Sequence, residues 1–289
     1  MKRLLTALPV LLLLVTSCQK EISFDSPANP NGGGGGGTTG DLLVKVVAVT
    51  GNETLTTLYT YNGQKRLETT TMDGSSAGFK MHIYTKLLYD AAGRVYRVLQ
   101  YAVQDGIPSD TAVNNIHYPN ATTIEYDYSV NNISMFGFSA IDSSVYQFTS
   151  GKLMNITSYL SSPLIGVDPV VSSKYEFTYD GSGRVSLLKM YTMAIPGAPL
   201  SNIANQSYTY NTTVNTTWPA TSSAQAYLIH GMPNTKNDAV ATLKFDSMTA
   251  GVPSFSATTT YVLGVDKKPT AATYTSTDGQ VTKYSFFYQ

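Results

Sequence analysis

This chain of 289 residues has one cysteine, Cys18, three histidines and one tryptophan, and only 13% of its residues are charged. A single cysteine excludes an intrachain disulfide, so packing and hydrogen bonds must hold the fold. His82, His117 and His230 are scattered and lack the short spacing that sets two ligands on one metal, so no metal or other cofactor is expected. The apolar run from Leu4 to Val15 is twelve residues, too short for a membrane-spanning helix. Charge of either sign is also scarce. Lys+Arg and Asp+Glu stand at 19 each, and setting aside residues 1–17 removes Lys2 and Arg3, leaving an excess of two negative charges. That balance is too small to argue for nucleic acid as a partner or for adhesion to anionic lipid through a basic patch, and no nucleic acid is expected. What the chain does have is 21 tyrosines, abundant threonine, 23 glycines and 13 prolines, the usage of β-strands joined by tight turns. About 250 residues beyond the N-terminal segments are enough to bury a core.

The first eighteen residues are the most specific feature. Lys2 and Arg3 precede the apolar run, which ends in Val15-Thr16-Ser17-Cys18. This resembles a bacterial lipoprotein signal peptide, with residues 1–17 removed and Cys18 acylated, palmitate included. Residues 18–40 then read as a tether, with Ser26-Pro27-Ala28-Asn29-Pro30-Asn31 followed by six glycines, Gly32 to Gly37. A flexible coil of that length has an r.m.s. reach of roughly 25 Å. The glycine run matches a dinucleotide-binding pattern only formally, since it lacks the strand before and the helix after. Gln19 stands where, in the lipoproteins this segment resembles, an aspartate would favour the inner membrane. The resemblance therefore implies an outer-membrane lipid anchor. Gln19-Lys20-Glu21 looks like the short export signals of Bacteroidetes surface lipoproteins and leans toward the cell surface.

Residues 41–289 form one β domain with an internal repeat. Tyr89-Asp90-Ala91-Ala92-Gly93-Arg94-Val95 recurs ninety residues later as Tyr179-Asp180-Gly181-Ser182-Gly183-Arg184-Val185. Weaker copies begin at Tyr59, Tyr146 and Tyr208, for a period near 30 residues. Each unit reads as a β-hairpin. Tyr175, Phe177 and Tyr179 alternate on one face of a strand. Asp180 caps the turn, Gly183 supplies positive φ, and Arg184 lies along the sheet with its stem on a tyrosine ring. Strict alternation puts Val185, Leu187 and Tyr191 on one face of the return strand, Leu188 and Met190 on the other. A last hairpin spans Thr270–Thr275 and Val281–Tyr288. Tyr-Asp-x-x-Gly-Arg-Val resembles the YD repeat of the RHS family, and the chain is similar to β-rich lipoprotein domains of unknown function. The resemblance implies a curved antiparallel meander of hairpins forming an open or partly closed sheet, with Asp90, Gly93, Arg94, Asp180, Gly183 and Arg184 as structural turn residues.

No catalytic constellation is evident. Gly74-Ser75-Ser76-Ala77-Gly78 matches the nucleophile elbow of hydrolases, but strand-like sequence on both sides makes it a hairpin loop. Asp90 and Asp180 are explained by their turns, although a pair of dispersed carboxylates, as in a glycosidase, is a minor alternative. Asp110-Thr111-Ala112 and Asp246-Ser247-Met248 resemble O-glycosylation triplets. The expected function is a non-catalytic, outer-membrane-anchored lipoprotein that binds a glycan or a partner protein, with an assembly role in the envelope as the alternative. Candidate ligand loops are Gln104–Asn120, Pro196–Asn205 and Thr217–Pro233, the last carrying Trp218 as the candidate contact.

Overall fold

A computed structural model describes residues 42–76, 78–109, 111–129, 141–150, 152–162, 167–195, 197–211, 239–264 and 267–289. Cys18 and Trp218 lie outside them. The described residues are almost all strand. The first half holds β1 (Leu43–Thr50), β2 (Glu53–Tyr61), β3 (Leu67–Ser76), β4 (Phe79–Tyr89), β5 (Val95–Gln104), β6 (Ile107–Pro108), β7 (Ala112–Asn120) and β8 (Thr123–Ser129). The second holds β9 (Ile141–Thr149), β10 (Lys152–Ser162), β11 (Val167–Tyr179), β12 (Val185–Thr192), β13 (Ser201–Asn211), β14 (Ala239–Ser247), β15 (Phe255–Leu263), β16 (Pro269–Ser276) and β17 (Val281–Tyr288).

Apart from β6 and β7, which both pair with β5, each strand pairs antiparallel with its neighbours in sequence, and β1 also pairs with β17 through a register from Leu43↔Tyr288 to Thr50↔Thr282. The short β6 and the longer β7 both pair with β5 and fill one strand position, so the sheet is a closed barrel of sixteen strands. Closure corrects the expectation of an open or partly closed sheet. An open meander leaves two edges with unpaired N–H and C=O groups; here the first and last strands satisfy each other, and no edge remains.

The device that helps close it lies beside the turns. Tyr179 pairs with Val185, but Thr178 pairs with Leu187, so Ser186 is an extra residue on β12. The same slip occurs at Tyr61–Leu67, where Glu68 is extra, and at Tyr89–Val95, where Tyr96 is extra. Such bulges bend a strand and sharpen its twist, which a curling sheet requires. They also change parity. Val185, Leu188 and Met190 share the inner face, while Leu187 and Tyr191 face outward, which corrects the strict alternation read from the sequence.

The inner face is mainly apolar, with Thr85, Asn114, Gln206, Thr259, Ser276 and Thr282 buried among the apolar side chains. Leu67, Leu87, Val95, Leu153, Val185 and Leu188 are essentially inaccessible, and Phe177, Ile116, Ile124, Tyr284 and Phe286 join them in one buried cluster. A ring of sixteen strands is wide enough to hold a water channel when its lining is polar. Here most of the lining is apolar and nearly inaccessible. The outer face is mixed, with lysines, threonines and serines beside exposed Val49, Leu58, Val262, Val281 and Phe287. β17 shows the division most simply: Thr282, Tyr284 and Phe286 are buried, while Val281, Lys283, Ser285 and Phe287 are exposed. Around the wall, register places Lys45, Lys86, Lys174, Lys189, Lys244 and Lys283 outward, among threonines such as Thr56, Thr71, Thr209, Thr242 and Thr273. Ion pairs dress the same surface, Lys174–Glu176 at 2.8 Å and Lys244–Asp246 at 3.0 Å.

Candidate functional site: a cation–tyrosine ring at the tether-side rim

Alternating direction in a closed meander sends every second connection to the same rim. One rim therefore gathers the described turn residues 62–66, 90–94, 121–122, 150, 180–184, 264 and 267–268, the strand ends Asn211 and Ala239, and both ends of the β domain. Those ends are locked together, Leu42 N–H to the Gln289 carbonyl at 3.2 Å and Gln289 N–H to the Leu42 carbonyl at 2.9 Å. The chain preceding Leu42 thus enters the barrel at this rim.

Asp90, Gly93, Arg94, Asp180, Gly183 and Arg184 all sit here. Asp90 Oδ1 accepts the Arg94 N–H at 2.8 Å, and Oδ2 accepts Arg94 Nε–H at 2.9 Å. Asp180 does the same with Arg184 at 2.9 and 2.7 Å and also accepts the Ser182 N–H. Gly93 and Gly183 adopt φ of 77° and 84° and donate back to the aspartate carbonyls. Burial opposes ionisation of each aspartate, but the backbone and side-chain hydrogen bonds of the arginine and its charge outweigh it and hold both carboxyls below the ordinary range. The turn 62–66 repeats the geometry with Asn62 in place of aspartate and Lys65 at the positive-φ position.

The turns are stitched to one another by tyrosine. Tyr89 donates its hydroxyl to the Leu67 carbonyl at 2.5 Å, Tyr118 to Val95 at 2.8 Å, Tyr179 to Leu153 at 2.7 Å and Tyr210 to Val185 at 2.7 Å. Tyr61, Tyr261 and Tyr288 repeat the contact to Leu43, Val240 and Pro269. At the remaining position stands Phe148, which is next to the end of β9 and has no hydroxyl to give. A basic group from each preceding turn lies over the ring: Arg66 on Tyr89, Arg94 on Tyr118, Lys152 on Tyr179, Arg184 on Tyr210 and Lys268 on Tyr288, at 4.6 to 5.7 Å from the centroid. The Arg66 guanidinium also occupies the space a Cβ would need at Gly93. Glycine there serves both the turn and the neighbouring cation. Sequence reading found the turns but not the hydroxyl contacts; the signal available was the spacing of Tyr61, Tyr89, Tyr118, Phe148, Tyr179 and Tyr210 at 28 to 31 residues.

Desolvation raises the pKa of Tyr89 to about 12, with Arg66 lowering it and Glu68 raising it by lesser amounts, and burial likewise raises Tyr61, Tyr146, Tyr175 and Tyr208. These groups favour the folded state while protonated. Their contribution is complete below the unfolded tyrosine pKa of 10.0 and is lost as pH climbs through the raised folded values. An alkaline titration followed by tyrosinate absorbance will show a first, non-cooperative group, then a cooperative step coincident with loss of the β signal. A single smooth titration of all tyrosines near pH 10 with the fold intact would contradict this burial.

The other rim carries the connections that follow β1, β3, β5, β8, β10, β12, β14 and β16, whereas β13 ends and β14 begins, at Asn211 and Ala239, on the entry rim. Of the candidate loops, Gln104–Asn120 is mainly β6 and β7, so among its described residues only Asp105, Gly106, Ser109 and Thr111 lie outside strands, and Pro196–Asn205 runs into β13. Thr217–Pro233, Asp110 and His230 lie outside the described residues. His82 is on the outer wall, its Nδ1 at 2.5 Å from Asp73 Oδ1, and His117 is exposed. Ser76 closes β3 in register with Phe79, in a strand-to-strand connection. Among the described residues no three His, Cys, Asp or Glu side chains gather as a metal site.

No family model matches this chain, and no curated protein matches it. Two solved structures share its architecture. A crystal structure of a porin-like protein from Bacteroides vulgatus superposes with a TM-score of 0.54 at 12% identity, over 86% of this chain and 99% of that one. A porin-like protein from Bacteroides uniformis does so with a TM-score of 0.50 at 16% identity, over 86% and 98%. At such identities the shared property is the fold, a closed antiparallel β-barrel.

Proposed function

We propose that this protein is a non-catalytic lipoprotein of the outer membrane whose barrel stands beside the bilayer, held by acylated Cys18 and its glycine-rich tether. The observation that carries this reading is the polarity of the wall. A barrel that crosses a membrane turns an apolar band outward and keeps polar residues inside. This one buries Leu87, Phe177 and Phe286 inside and turns Lys86, Lys174 and Lys283 to the outside. The porin-like likeness of its structural neighbours supports an outer-membrane setting, and the lipoprotein-like start supplies an anchor that does not require the wall to span.

In this reading the tethered barrel is a platform, and its loops bind a glycan or a partner protein at the cell surface. Trp218 is the proposed contact: Trp218→Ala should lose binding with the fold intact, and unchanged affinity would remove it. The likeness of the Asp90 and Asp180 turns to YD repeats belongs to the same proposal and concerns architecture alone.

Fractionation of cells exporting residues 19–289 behind an ordinary, non-lipoprotein signal peptide tests the anchor. The reading expects palmitate labelling of the native protein, no labelling of this variant, and its appearance in the soluble fraction. A variant that stays in the outer membrane and resists extraction like an integral barrel would overturn it.

A further inference from the structure

The two rims differ in charge. At the rim where the chain enters, the described turns and the two strand residues beside them hold seven bases, Lys65, Arg66, Arg94, Lys152, Arg184, Lys267 and Lys268. Three acids face them there, Glu68, Asp90 and Asp180, and the two aspartates are each engaged by the arginine of their own turn. By the same criterion the far rim holds, among the residues whose side chains are described, Glu53, Asp105, Asp246 and Asp278 against a single base, Lys80. With residues 1–17 set aside the chain carries an excess of two negative charges, so the basic rim is a separation of charge along the barrel axis and not an overall positive excess.

We infer that the entry rim docks on the anionic lipid surface, oriented by this charge separation, so that the acidic rim points away from the membrane. The inference rests on the lipid-anchored reading for its setting, since the tether joins the barrel at Leu42, on the basic rim. A glycine-rich tether of that length, as the sequence leads one to expect, would keep the rim within a few nanometres of the headgroups, where a high effective concentration favours even weak attraction. Phosphate-bearing headgroups attract basic groups within a Debye length and repel the acidic rim, so both ends favour one orientation. The tyrosine ring matters because it fixes the cations: Arg66, Lys152 and Lys268 are held over aromatic faces at the rim, already ordered, so docking orders little new.

The test uses the mature chain without lipid, residues 19–289, sedimented with phosphatidylcholine vesicles and with vesicles containing roughly 30 mol% phosphatidylglycerol. The expected result is at least about tenfold stronger partition onto the anionic vesicles, lost in about 0.5 M salt where the Debye length is only a few ångströms. Changing Lys65, Lys152, Lys267 and Lys268 together to glutamine should remove that preference, while Asp105→Asn with Asp278→Asn should leave or strengthen it. Far-UV dichroism verifies the fold of each variant; should the fourfold change unfold the chain, Lys65→Gln with Lys267→Gln, both exposed turn residues, gives a partial loss by the same readout. Equal partition onto neutral and anionic vesicles, or full binding by the folded lysine variant, would overturn the inference. Because no acyl chain is present in the assay, that failure leaves palmitate labelling of Cys18 as a separate question.

Discussion

Replacing Gly74 by alanine will destabilise the barrel by about 3 kcal/mol or more, the largest effect expected of any single-methyl addition to this chain. Gly74 lies in β3 opposite Leu55 of β2 and holds φ at 144°. A Cβ built there falls 2.0 Å from the Thr54 carbonyl oxygen and 2.9 Å from Leu55 Cα. Both obstacles are backbone, so no rotamer change relieves them. Relief requires β2 and β3 to separate, breaking the ladder at that point, and the positive φ adds strain for any L side chain. Gly63 is the matched control: it has open space around a built Cβ and no positive φ, so Gly63→Ala should fall within about 0.5 kcal/mol of the parent. Chemical denaturation midpoints decide it, and equal midpoints for the two variants would contradict the close approach of β2 and β3.

The second large effect concerns the two faces of the wall. Leu87 is 1% exposed on the inner face of β4, and Leu58 is 43% exposed on the outer face of β2. Leu87→Lys places an ammonium group among Tyr59, Val98 and the rest of the buried cluster with no carboxylate on that inner face of β4, and should prevent folding or cost about 4 kcal/mol or more. Leu58→Lys adds one more cation to a surface already set with lysines and should change stability by less than about 0.5 kcal/mol. A wall embedded in lipid would reverse the order, since a lysine on a lipid-facing strand position costs about 2–4 kcal/mol at the midplane while a lumen position accepts it. Thermal and denaturant unfolding of the two variants therefore separates a wall facing water from one facing lipid.

Much of this architecture is written locally in the sequence. Tyr284, Phe286 and Tyr288 alternate in the chain and share the inner face of β17; Asp90 and Asp180 begin turns because a carboxylate can bond the N–H groups that follow it. Closure is not written locally. The β1–β17 ladder joins residues some 230 apart, as in the 2.7 Å hydroxyl contact between Thr50 and Thr282, and neither strand differs in composition from one that could serve as an edge. The bulges are equally silent. Ser186 looks like any alternating residue, and only the observed register shows that it is extra and that Leu187 turns outward. Gly74 illustrates the converse: a motif that matches a nucleophile elbow by letters has its glycine for a steric reason, the approach of the Thr54 backbone. Of the candidate site, the turn residues were legible because their chemistry is local. The tyrosine–carbonyl ring was not, because each bond spans 18 to 26 residues and joins one hairpin to the next.

The most direct test of a barrel that is mainly apolar inside and wet outside is the behaviour of residues 19–289 in water without detergent. Size-exclusion chromatography with light scattering, followed by far-UV dichroism through a denaturant titration, gives the answer in one preparation. The account predicts a monodisperse β protein that unfolds cooperatively and gains nothing from added micelles. Aggregation in buffer, with a folded barrel recovered only in detergent or lipid, would contradict it and return the wall to the membrane.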